Sequence, residues 1–224
     1  MKIYAIGDVH GCLNEMKALL AKVDEQIKPE DQIVFLGDYV DRGPDSKGVI
    51  EHLIEREKSH QNKHIFIRGN HEDMMMSGEY WFMNGGAEVV KSYGLDPVDY
   101  TIQFSFFSDH MPKDHQAFIH RTRLYYQIGR CVFVHANIDP SLSLEDQNAN
   151  TLIWARHYDG YNGDYNGGWF VVRGHTPVGS VREFRNQIML DTACVFGGFL
   201  TCLVIDPENT DDHHYLEVQS GVSY

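Results

Sequence analysis

Residues 32–43 read Gln32-Ile33-Val34-Phe35-Leu36-Gly37-Asp38-Tyr39-Val40-Asp41-Arg42-Gly43, so that an apolar run leads directly into charged residues. The apolar part suits a buried strand, and Gly37 lets the backbone turn sharply where that strand ends. The same arrangement occurs on either side of this stretch. One apolar run ends in Gly7-Asp8-Val9-His10-Gly11, and another ends in Gly69-Asn70-His71-Glu72. The start of the chain therefore predicts three strands, each followed by polar residues.

Helical patterns lie between these strands. In residues 13–23 and again in residues 49–54, apolar side chains recur at gaps of three and four, which is the spacing of one helix face. Asp45 and Ser46 are the candidate N-caps of the second helix. The alternation of strand and helix predicts βαβ units and a largely parallel sheet.

Two more strands of the same kind are predicted later in the chain. Residues 131–134 run into His135-Ala136-Asn137, and residues 169–173 run into Gly174-His175-Thr176. An amphipathic stretch, residues 117–126, precedes the first of them. These two strands bring the number of polar strand ends to five.

Beyond residue 173 the pattern changes. Residues 187–190, 198–206 and 214–219 predict strands with no long helix between them, which indicates a meander or a second sheet. The fold class is therefore predicted as α/β, with two sheets packed face to face and helices outside them. We expect a single domain over residues 1–224.

The composition excludes several classes of function. The chain has 224 residues and a formal net charge of −13, from 19 Lys and Arg against 32 Asp and Glu, whereas non-specific nucleic-acid binding requires a basic surface. No long apolar run occurs, so no membrane-spanning helix is predicted. The four cysteines show no metal-binding spacing, which is typical of reduced thiols in a cytoplasmic protein. We thus expect neither nucleic acid nor a membrane as a partner.

The five strand ends carry residues that can bind metal ions. Ligands in open α/β sheets bind beyond the carboxyl ends of the strands, and neighbouring parallel strands would bring these residues to one edge of the sheet. Carboxylate and imidazole donors without a thiolate favour Mn²⁺, Fe or Zn²⁺. Six donors suit two ions about 3.5–4 Å apart that share one carboxylate. The candidate ligands are Asp8, His10, Asp38, Asn70, His135 and His175.

The ordered motifs around these residues resemble those of the serine/threonine phosphoprotein phosphatase family of metallophosphoesterases, in its bacterial and phage branch. They span residues 7–176. The resemblance implies an α/β/β/α sandwich of the calcineurin-like type and two divalent metal ions, with Mn²⁺ favoured and Fe or Zn²⁺ as alternatives. It also implies a division of the ligands, with Asp8 and His10 on one ion, Asp38 bridging both ions, and Asn70, His135 and His175 on the other.

The same resemblance implies roles for four more residues. His71 would be the general acid, oriented by Asp41, while Arg42 and Arg156 would bind the phosphoryl oxygens. A metal-bridging hydroxide would attack phosphorus in line, without a phosphoenzyme. The predicted function is a metal-dependent phosphatase acting on phosphoserine or phosphothreonine in a protein or peptide, with phosphotyrosine left open.

Two alternative functions also fit the sequence. The first is a symmetrical dinucleoside polyphosphate hydrolase on the same scaffold. Its bacterial members typically lack an acidic residue at the position of Asp41, so Asp41 favours a phosphomonoesterase. The second is a non-catalytic metal-binding module, which the presence of all six ligands together with His71 disfavours. Residues 158–168 are interpreted either as part of the rim of the site or as a plain surface loop. Residues 191–198 form a loop that could approach the site but receive no role, and the sequence does not indicate an oligomeric state.

Overall fold

A computed structural model of the protein describes residues 1–99 and 101–222, so positions 100, 223 and 224 of the predicted domain lie outside the described residues. The strands are β1 (Ile3–Ile6), β2 (Gln32–Phe35), β3 (Lys63–Phe66), β4 (Tyr125–Ile128), β5 (Cys131–Val134), β6 (Phe170–Arg173), β7 (Arg182–Phe184), β8 (Gln187–Met189), β9 (Phe199–Asp206) and β10 (Asn209–Gln219). The α-helices are α1 (Leu13–Asp24), α2 (Ser46–Ser59), α3 (Asn70–Ser77), α4 (Gly86–Ser92), α5 (Ile102–Ser105), α6 (Lys113–His120) and α7 (Ala149–Trp154). Short 3₁₀ turns cover Phe82–Asn84 and Cys194–Phe196, and a π-helical turn covers Phe106–His110.

The first sheet has the strand order β10-β9-β1-β2-β3. Its strands β1, β2 and β3 are parallel and are connected by α1 and α2, as the alternation of patterns predicted. β9 runs antiparallel to β1, and β10 runs antiparallel to β9. Asp45 is the N-cap of α2, because its side chain accepts a hydrogen bond from the backbone N–H of Gly48.

The second sheet has the strand order β4-β5-β6-β8-β7. β5, β6 and β8 are parallel, whereas β4 and β7 form antiparallel edges. All four residues of β5 and all four of β6 are buried, as expected for central strands covered on both faces.

The two sheets pack face to face, with helices on their outer faces. β1 shows how side chains alternate between layers: Ile3 and Ala5 enter the core between the sheets, while Tyr4 and Ile6 enter the core beneath the helices. On the outer face of the second sheet, α7 buries Leu152. The order of layers is therefore helix, sheet, sheet, helix, which confirms the predicted α/β/β/α sandwich.

The last strands differ in part from the prediction of a meander or a second sheet, because β8 lies in the second sheet whereas β9 and β10 do not. β9 and β10 extend the first sheet instead of forming the second, because β9 pairs with the edge of β1 that would otherwise be left open. The amphipathic stretch 117–126 is divided between two elements, since α6 ends at His120 and β4 begins at Tyr125. Short apolar runs do not distinguish a helix from an edge strand by their spacing alone.

The five polar strand ends belong to both sheets, so the expectation of one edge of one sheet is also wrong. β1, β2 and β3 lie in the first sheet, while β5 and β6 lie in the second. Contacts across the sandwich join the two sets, because the His135 ring after β5 donates a hydrogen bond to the backbone oxygen of Leu36 after β2. The carboxyl ends of strands from both sheets therefore meet at one place.

The segment between β3 and β4 is helical and packs beside α2. Trp81 is fully buried there, against the rings of Phe82 and Phe106. None of the helices in the described part of the chain has the length and apolar character that crossing a membrane requires.

Candidate active site

The six predicted metal ligands lie directly after strand ends, and the structure brings them together. Their side chains are all buried, although every one of them is polar or charged. We call this set the donor cluster, and its members are Asp8, His10, Asp38, Asn70, His135 and His175.

Three members of the donor cluster face one another closely. The Oδ1 atom of Asn70 lies 3.0 Å from Nε2 of His135 and 2.8 Å from Nδ1 of His175. The two ring nitrogens are 3.2 Å apart. Convergence of three such donor atoms is the arrangement expected of ligands that share one metal ion.

Asp38 connects these three residues to the other side of the cluster. Its Oδ1 lies 3.4 Å from His135 Nε2, and its Oδ2 lies 3.4 Å from His10 Nε2. Asp38 belongs to two groups whose donor atoms lie within 4.8 Å of one another, one with His135 and His175 and one with His10 and His71. A carboxylate shared between two groups fits the predicted bridging position.

Asp8 joins the cluster through the backbone of His175. The N–H of His175 donates to the Asp8 carboxylate, at 3.0 Å from Oδ2 and 3.3 Å from Oδ1. Burial, together with the nearby carboxylates of Asp191 and Asp38, raises the pKa of Asp8 well above its ordinary value. A cation beside Asp8 would offset this crowding of negative charge.

Hydrogen bonds fix the rings of His10 and His135. Nδ1 of His10 donates to the backbone oxygen of Val40 at 2.8 Å, and Nδ1 of His135 donates to that of Leu36 at 2.8 Å. Both Nε2 atoms are therefore unprotonated in the neutral ring, and each lies 3.4 Å from a carboxylate oxygen of Asp38. Burial lowers the pKa of His10, His135 and His175, which favours the neutral ring that can bind a metal ion.

The chemistry of the donor cluster fits a pair of divalent cations. Burial opposes the charge on Asp38, but the surrounding imidazoles outweigh it and hold its pKa below the ordinary range. A buried carboxylate is costly unless a cation or hydrogen bonds compensate its charge. Carboxylate, amide and neutral imidazole donors without a thiolate match Mn²⁺, Fe and Zn²⁺ alike.

His71 lies beside the donor cluster and is held by a buried carboxylate. Its Nδ1 donates to Oδ2 of Asp41 at 2.6 Å, and the indole N–H of Trp81 donates to Oδ1 of the same carboxylate at 2.7 Å. Burial lowers the pKa of His71, but the carboxylates of Asp38 and Asp41 outweigh it and raise the pKa. His71 is thus arranged to carry a proton next to the cluster.

The two predicted phosphate ligands contact opposite ends of the donor cluster. Nη1 of Arg42 donates to Nε2 of His10 at 2.7 Å, and Nε of Arg156 donates to Nε2 of His175 at 3.2 Å. Planar guanidinium groups in these positions suit a phosphoryl group bound between them.

Three buried residues support the site without having been assigned a role from the sequence. Glu72 accepts hydrogen bonds from the backbone of Asp38, Tyr39 and Gly69, and so fixes the turn after β2. Asp191 is buried, and burial together with nearby Asp38 raises its pKa to about 6. The sequence did contain a signal for Asp191, because this residue follows the apolar run 187–190 in the same way as the predicted ligands follow their apolar runs.

Arg173 is the third of these residues, and it helps to hold the loop 158–168 in place. It is fully buried at the end of β6, and its Nη2 donates to Oδ1 of Asp159 at 2.6 Å. Its Nη1 donates to the backbone oxygen of Gly174 at 3.0 Å. The backbone N–H of Asp159 donates to the carbonyl oxygen of Arg156 at 3.0 Å. Arg173 therefore ties this loop to the segments that carry Arg156 and His175.

The backbone is also unusual where these residues lie. Among the described residues other than glycine, positive φ angles occur at His10, Asp38, Asp41, Arg42, Tyr80, His175 and Ala193. Five of these seven are predicted site residues. Such conformations are costly and persist where the surroundings hold them, which is common at functional sites.

Comparison with known proteins agrees with this geometry. The model of the calcineurin-like phosphoesterase family matches residues 1–203. A protein of Oceanobacillus iheyensis named bis(5'-nucleosyl)-tetraphosphatase PrpE (asymmetrical) is 33% identical, over 90% of this chain and 87% of the relative. A protein of the same name from Geobacillus thermodenitrificans is 30% identical, over 91% of this chain and 90% of the relative.

A solved structure shares the fold at lower identity. It is a protein serine/threonine phosphatase from Saccharomyces cerevisiae, 19% identical, with a TM-score of 0.70 over 100% of this chain and 81% of that chain. Members of the matched family use a binuclear metal centre, and the donor cluster offers residues that fit one. The chain therefore belongs to the calcineurin-like phosphoesterase family.

Proposed function

We propose that this protein is a metal-dependent hydrolase of dinucleoside tetraphosphates that cuts the phosphate bridge asymmetrically. The observation that carries the hydrolase chemistry is the buried donor cluster, with Arg42 and Arg156 contacting its two ends. The substrate class is supported by the names of relatives that align with about nine tenths of this chain. Those names specify asymmetrical cleavage, so the proposal departs from the symmetrical hydrolase considered from the sequence.

The residues of the donor cluster would hold the metal centre and bring the substrate to it. Two divalent cations supply positive charge for the phosphoryl oxygens and lower the pKa of water. Arg42 and Arg156 then bind the remaining phosphoryl oxygens in fork geometry, which orients the phosphorus atom. We propose Mn²⁺ as the metal, on the basis of the family resemblance.

His71 completes this arrangement as a proton donor to the leaving oxygen. The carboxylates of Asp38 and Asp41 raise its pKa, which favours the protonated ring, and its hydrogen bond to Asp41 fixes the direction of Nε2. Hydrolysis adds water across one phosphoanhydride bond, so that oxygen joins phosphorus and a proton joins the departing phosphate. Asymmetrical cleavage of diadenosine tetraphosphate yields ATP and AMP.

A phosphoprotein phosphatase is the second candidate, and the His71–Asp41 pair favours it. The two side chains are 2.6 Å apart and fully buried. The alkoxide of serine or threonine needs a proton as it leaves, whereas a departing phosphate needs much less help. A general acid that is fixed in this way therefore contributes more to the hydrolysis of a phosphorylated protein or peptide than to that of a dinucleotide.

Product analysis separates the two candidates. The purified protein, loaded with Mn²⁺, is incubated with diadenosine tetraphosphate, a phosphoserine peptide or p-nitrophenyl phosphate. We expect ATP and AMP in equal amounts, with a kcat/KM for the dinucleotide well above that for the peptide. Turnover of the peptide and p-nitrophenyl phosphate without turnover of the dinucleotide would replace this proposal with the phosphatase.

A further inference from the structure

The carboxylate of Asp159 fastens the loop that follows Arg156 to the rest of the protein. Oδ1 of Asp159 accepts a hydrogen bond from Nη2 of Arg173 at 2.6 Å, and Oδ2 accepts one from Oγ1 of Thr176 at 2.7 Å. Arg173 precedes and Thr176 follows His175, a member of the donor cluster. One side chain thus joins the loop to both sides of the strand end that carries His175.

Arg173 provides a rigid anchor for this carboxylate. It lies at the end of β6, where its backbone pairs with Val134 of β5 on one side and with Met189 of β8 on the other. The Arg173 side chain is 0% exposed, whereas that of Asp159 is 23% exposed. A buried guanidinium that loses its partner carboxylate is costly, so the ion pair favours the docked position of the loop.

Asp159 also fixes the backbone at Arg156. The N–H of Asp159 donates to the carbonyl oxygen of Arg156 at 3.0 Å, which closes a turn shortly after the end of α7. The next N–H, that of Gly160, donates to Oε1 of Gln187 at 3.2 Å and attaches the turn to β8. A displacement of the Asp159 side chain would therefore reach the backbone from which the Arg156 side chain extends.

The side chain of Arg156 depends on this backbone for its position. Arg156 is exposed, and its Nε donates to Nε2 of His175 at 3.2 Å. Nδ1 of the same ring faces Asn70 inside the donor cluster. A neutral imidazole carries one proton, so a ring that binds metal through Nδ1 carries that proton on Nε2 and cannot accept from Arg156. The guanidinium is then available to a phosphoryl group, while the turn at Asp159 holds the backbone behind it.

We infer that Asp159 is a positioning residue that holds Arg156 against the phosphoryl group of the substrate. The inference rests on the proposed function only in that Arg156 binds phosphate, and it applies to a dinucleotide and to a phosphopeptide alike. Asp159 acts through Arg156 and not on the substrate, because its two carboxylate oxygens accept hydrogen bonds from Arg173 and Thr176.

A double-mutant cycle distinguishes positioning from a general structural role. Asp159→Ala, Arg156→Ala and the double variant are loaded with Mn²⁺ and assayed with diadenosine tetraphosphate, a phosphoserine peptide and p-nitrophenyl phosphate. We expect Asp159→Ala to lower kcat/KM roughly tenfold in the wild type, through displacement of a charged contact, but less than about twofold once Arg156 is alanine. Equal losses in both backgrounds, or unchanged kinetics in Arg156→Ala, would overturn the inference.

Asp164→Ala is the matched control for Asp159→Ala. Asp164 is a carboxylate of the same loop and is also paired with an arginine, since its Oδ1 lies 3.4 Å from Nη1 of Arg185. Both side chains of that pair are about two-thirds exposed, at 67% and 66%. We expect its removal to leave the kinetics unchanged, and a loss equal to that of Asp159→Ala would contradict the inference.

Thr176→Val tests the same contact without unpairing Arg173. It removes one of the two hydrogen bonds to Asp159, and we expect a fall in kcat/KM of roughly threefold. Thr176→Ser, which restores the hydroxyl, should recover most of this loss. If Asp159→Ala does not fold, Thr176→Val takes its place in the cycle with Arg156→Ala, where additive losses would again overturn the inference.

Binding of inorganic phosphate gives a readout that does not depend on turnover. Calorimetric titration of the Mn²⁺-loaded proteins should show phosphate binding weakened roughly tenfold by Asp159→Ala, with metal content equal to that of the wild type. Unchanged phosphate affinity, or loss of metal, would overturn the inference, because loss of metal would mean that Asp159 acts through His175. Hydrolysis of the phosphopeptide but not of the dinucleotide, with the expected cycle, would overturn the proposed function alone.

Discussion

The donor cluster and the cleft lined by Arg42, Met83 and Phe196 are adjacent, since Arg42 contacts His10, yet they are built in opposite ways. The donors are buried, and hydrogen bonds such as that from His135 to the Leu36 backbone fix them. The cleft presents exposed apolar side chains, Met83 and Phe196, on short turns outside the motifs. We therefore expect the motifs to determine the hydrolytic chemistry and the exposed turns beside them to contact the substrate outside the reacting phosphates. The motifs alone led the sequence analysis to a phosphoprotein phosphatase, whereas the proposed function rests on the names of relatives that align with about nine tenths of the chain.

The largest effect is expected from a change inside the donor cluster. Asp38→Asn removes the charge that both groups of donors share, so we expect loss of bound metal and a fall in kcat/KM of more than roughly 10⁴-fold on every substrate. Metal content is measured by mass spectrometry beside the kinetics.

Asp31→Asn is the matched control for Asp38→Asn, because Asp31 is a buried carboxylate that binds only the backbone N–H groups of Lys2 and Lys28 in the described structure. It should keep metal and activity. Full metal content and turnover in Asp38→Asn would remove Asp38 from the shared position.

The second largest effect is expected at His71, and it tests whether this residue acts in the reaction itself. We expect His71→Asn to lower kcat on a phosphoserine peptide by roughly 10²-fold or more, because a serine alkoxide leaves poorly without a proton. The losses on p-nitrophenyl phosphate and on diadenosine tetraphosphate should be smaller, since their leaving groups are stable anions. Equal losses on all three substrates would show that His71 is not the acid.

A change at the boundary between the two regions should have an intermediate effect. Gly85 has φ of 108°, and an added Cβ would press on the Arg42 backbone. We expect Gly85→Ala to lower kcat/KM roughly tenfold, through displacement of a charged phosphate contact, and to lower the free energy of unfolding.

Gly94→Ala separates these two consequences. Gly94 has φ of 77° but no atom within 4 Å of an added Cβ. Its substitution should cost about 1 kcal/mol of stability from the backbone alone, with activity unchanged. Equal kinetics for the two variants would mean that Gly85 does not position Arg42.

The smallest effect is expected outside both regions, at His64 in β3. Burial and the nearby Arg56 lower its pKa from 6.5 to about 4, so the unfolded chain binds a proton more readily than the folded one. Stability contributed by neutral His64 should therefore be lost as the pH falls from 6.5 toward 4, by about 1 kcal/mol given the partly solvated ring. His64→Phe should flatten this part of the urea-unfolding profile, and an unchanged profile would contradict the shift.

The sequence predicted the features that depend on local pattern. An apolar run followed by glycine and a polar residue located the strand ends, and Asp45 was identified among the candidate N-caps of α2. The partners of β9 and the edge strand β4 could not be predicted, because pairing is a long-range choice and the half-buried residues 125–128 have no clear period.

The same limit applies to the site. The ligand types could be recognised from their positions after strands, but Arg173 and Glu72 act through hydrogen bonds that only the folded chain forms. Met83 and Phe196 lie in 3₁₀ turns without periodic spacing, so nothing in the sequence placed them beside Arg42.

The central claim is that two cations share Asp38 where the two sheets meet. Anomalous diffraction from crystals soaked in Mn²⁺ tests it most directly. The account predicts two peaks on either side of the Asp38 carboxylate, one beside His135 and His175 and the other beside His10. A single peak, or peaks away from these side chains, would contradict it.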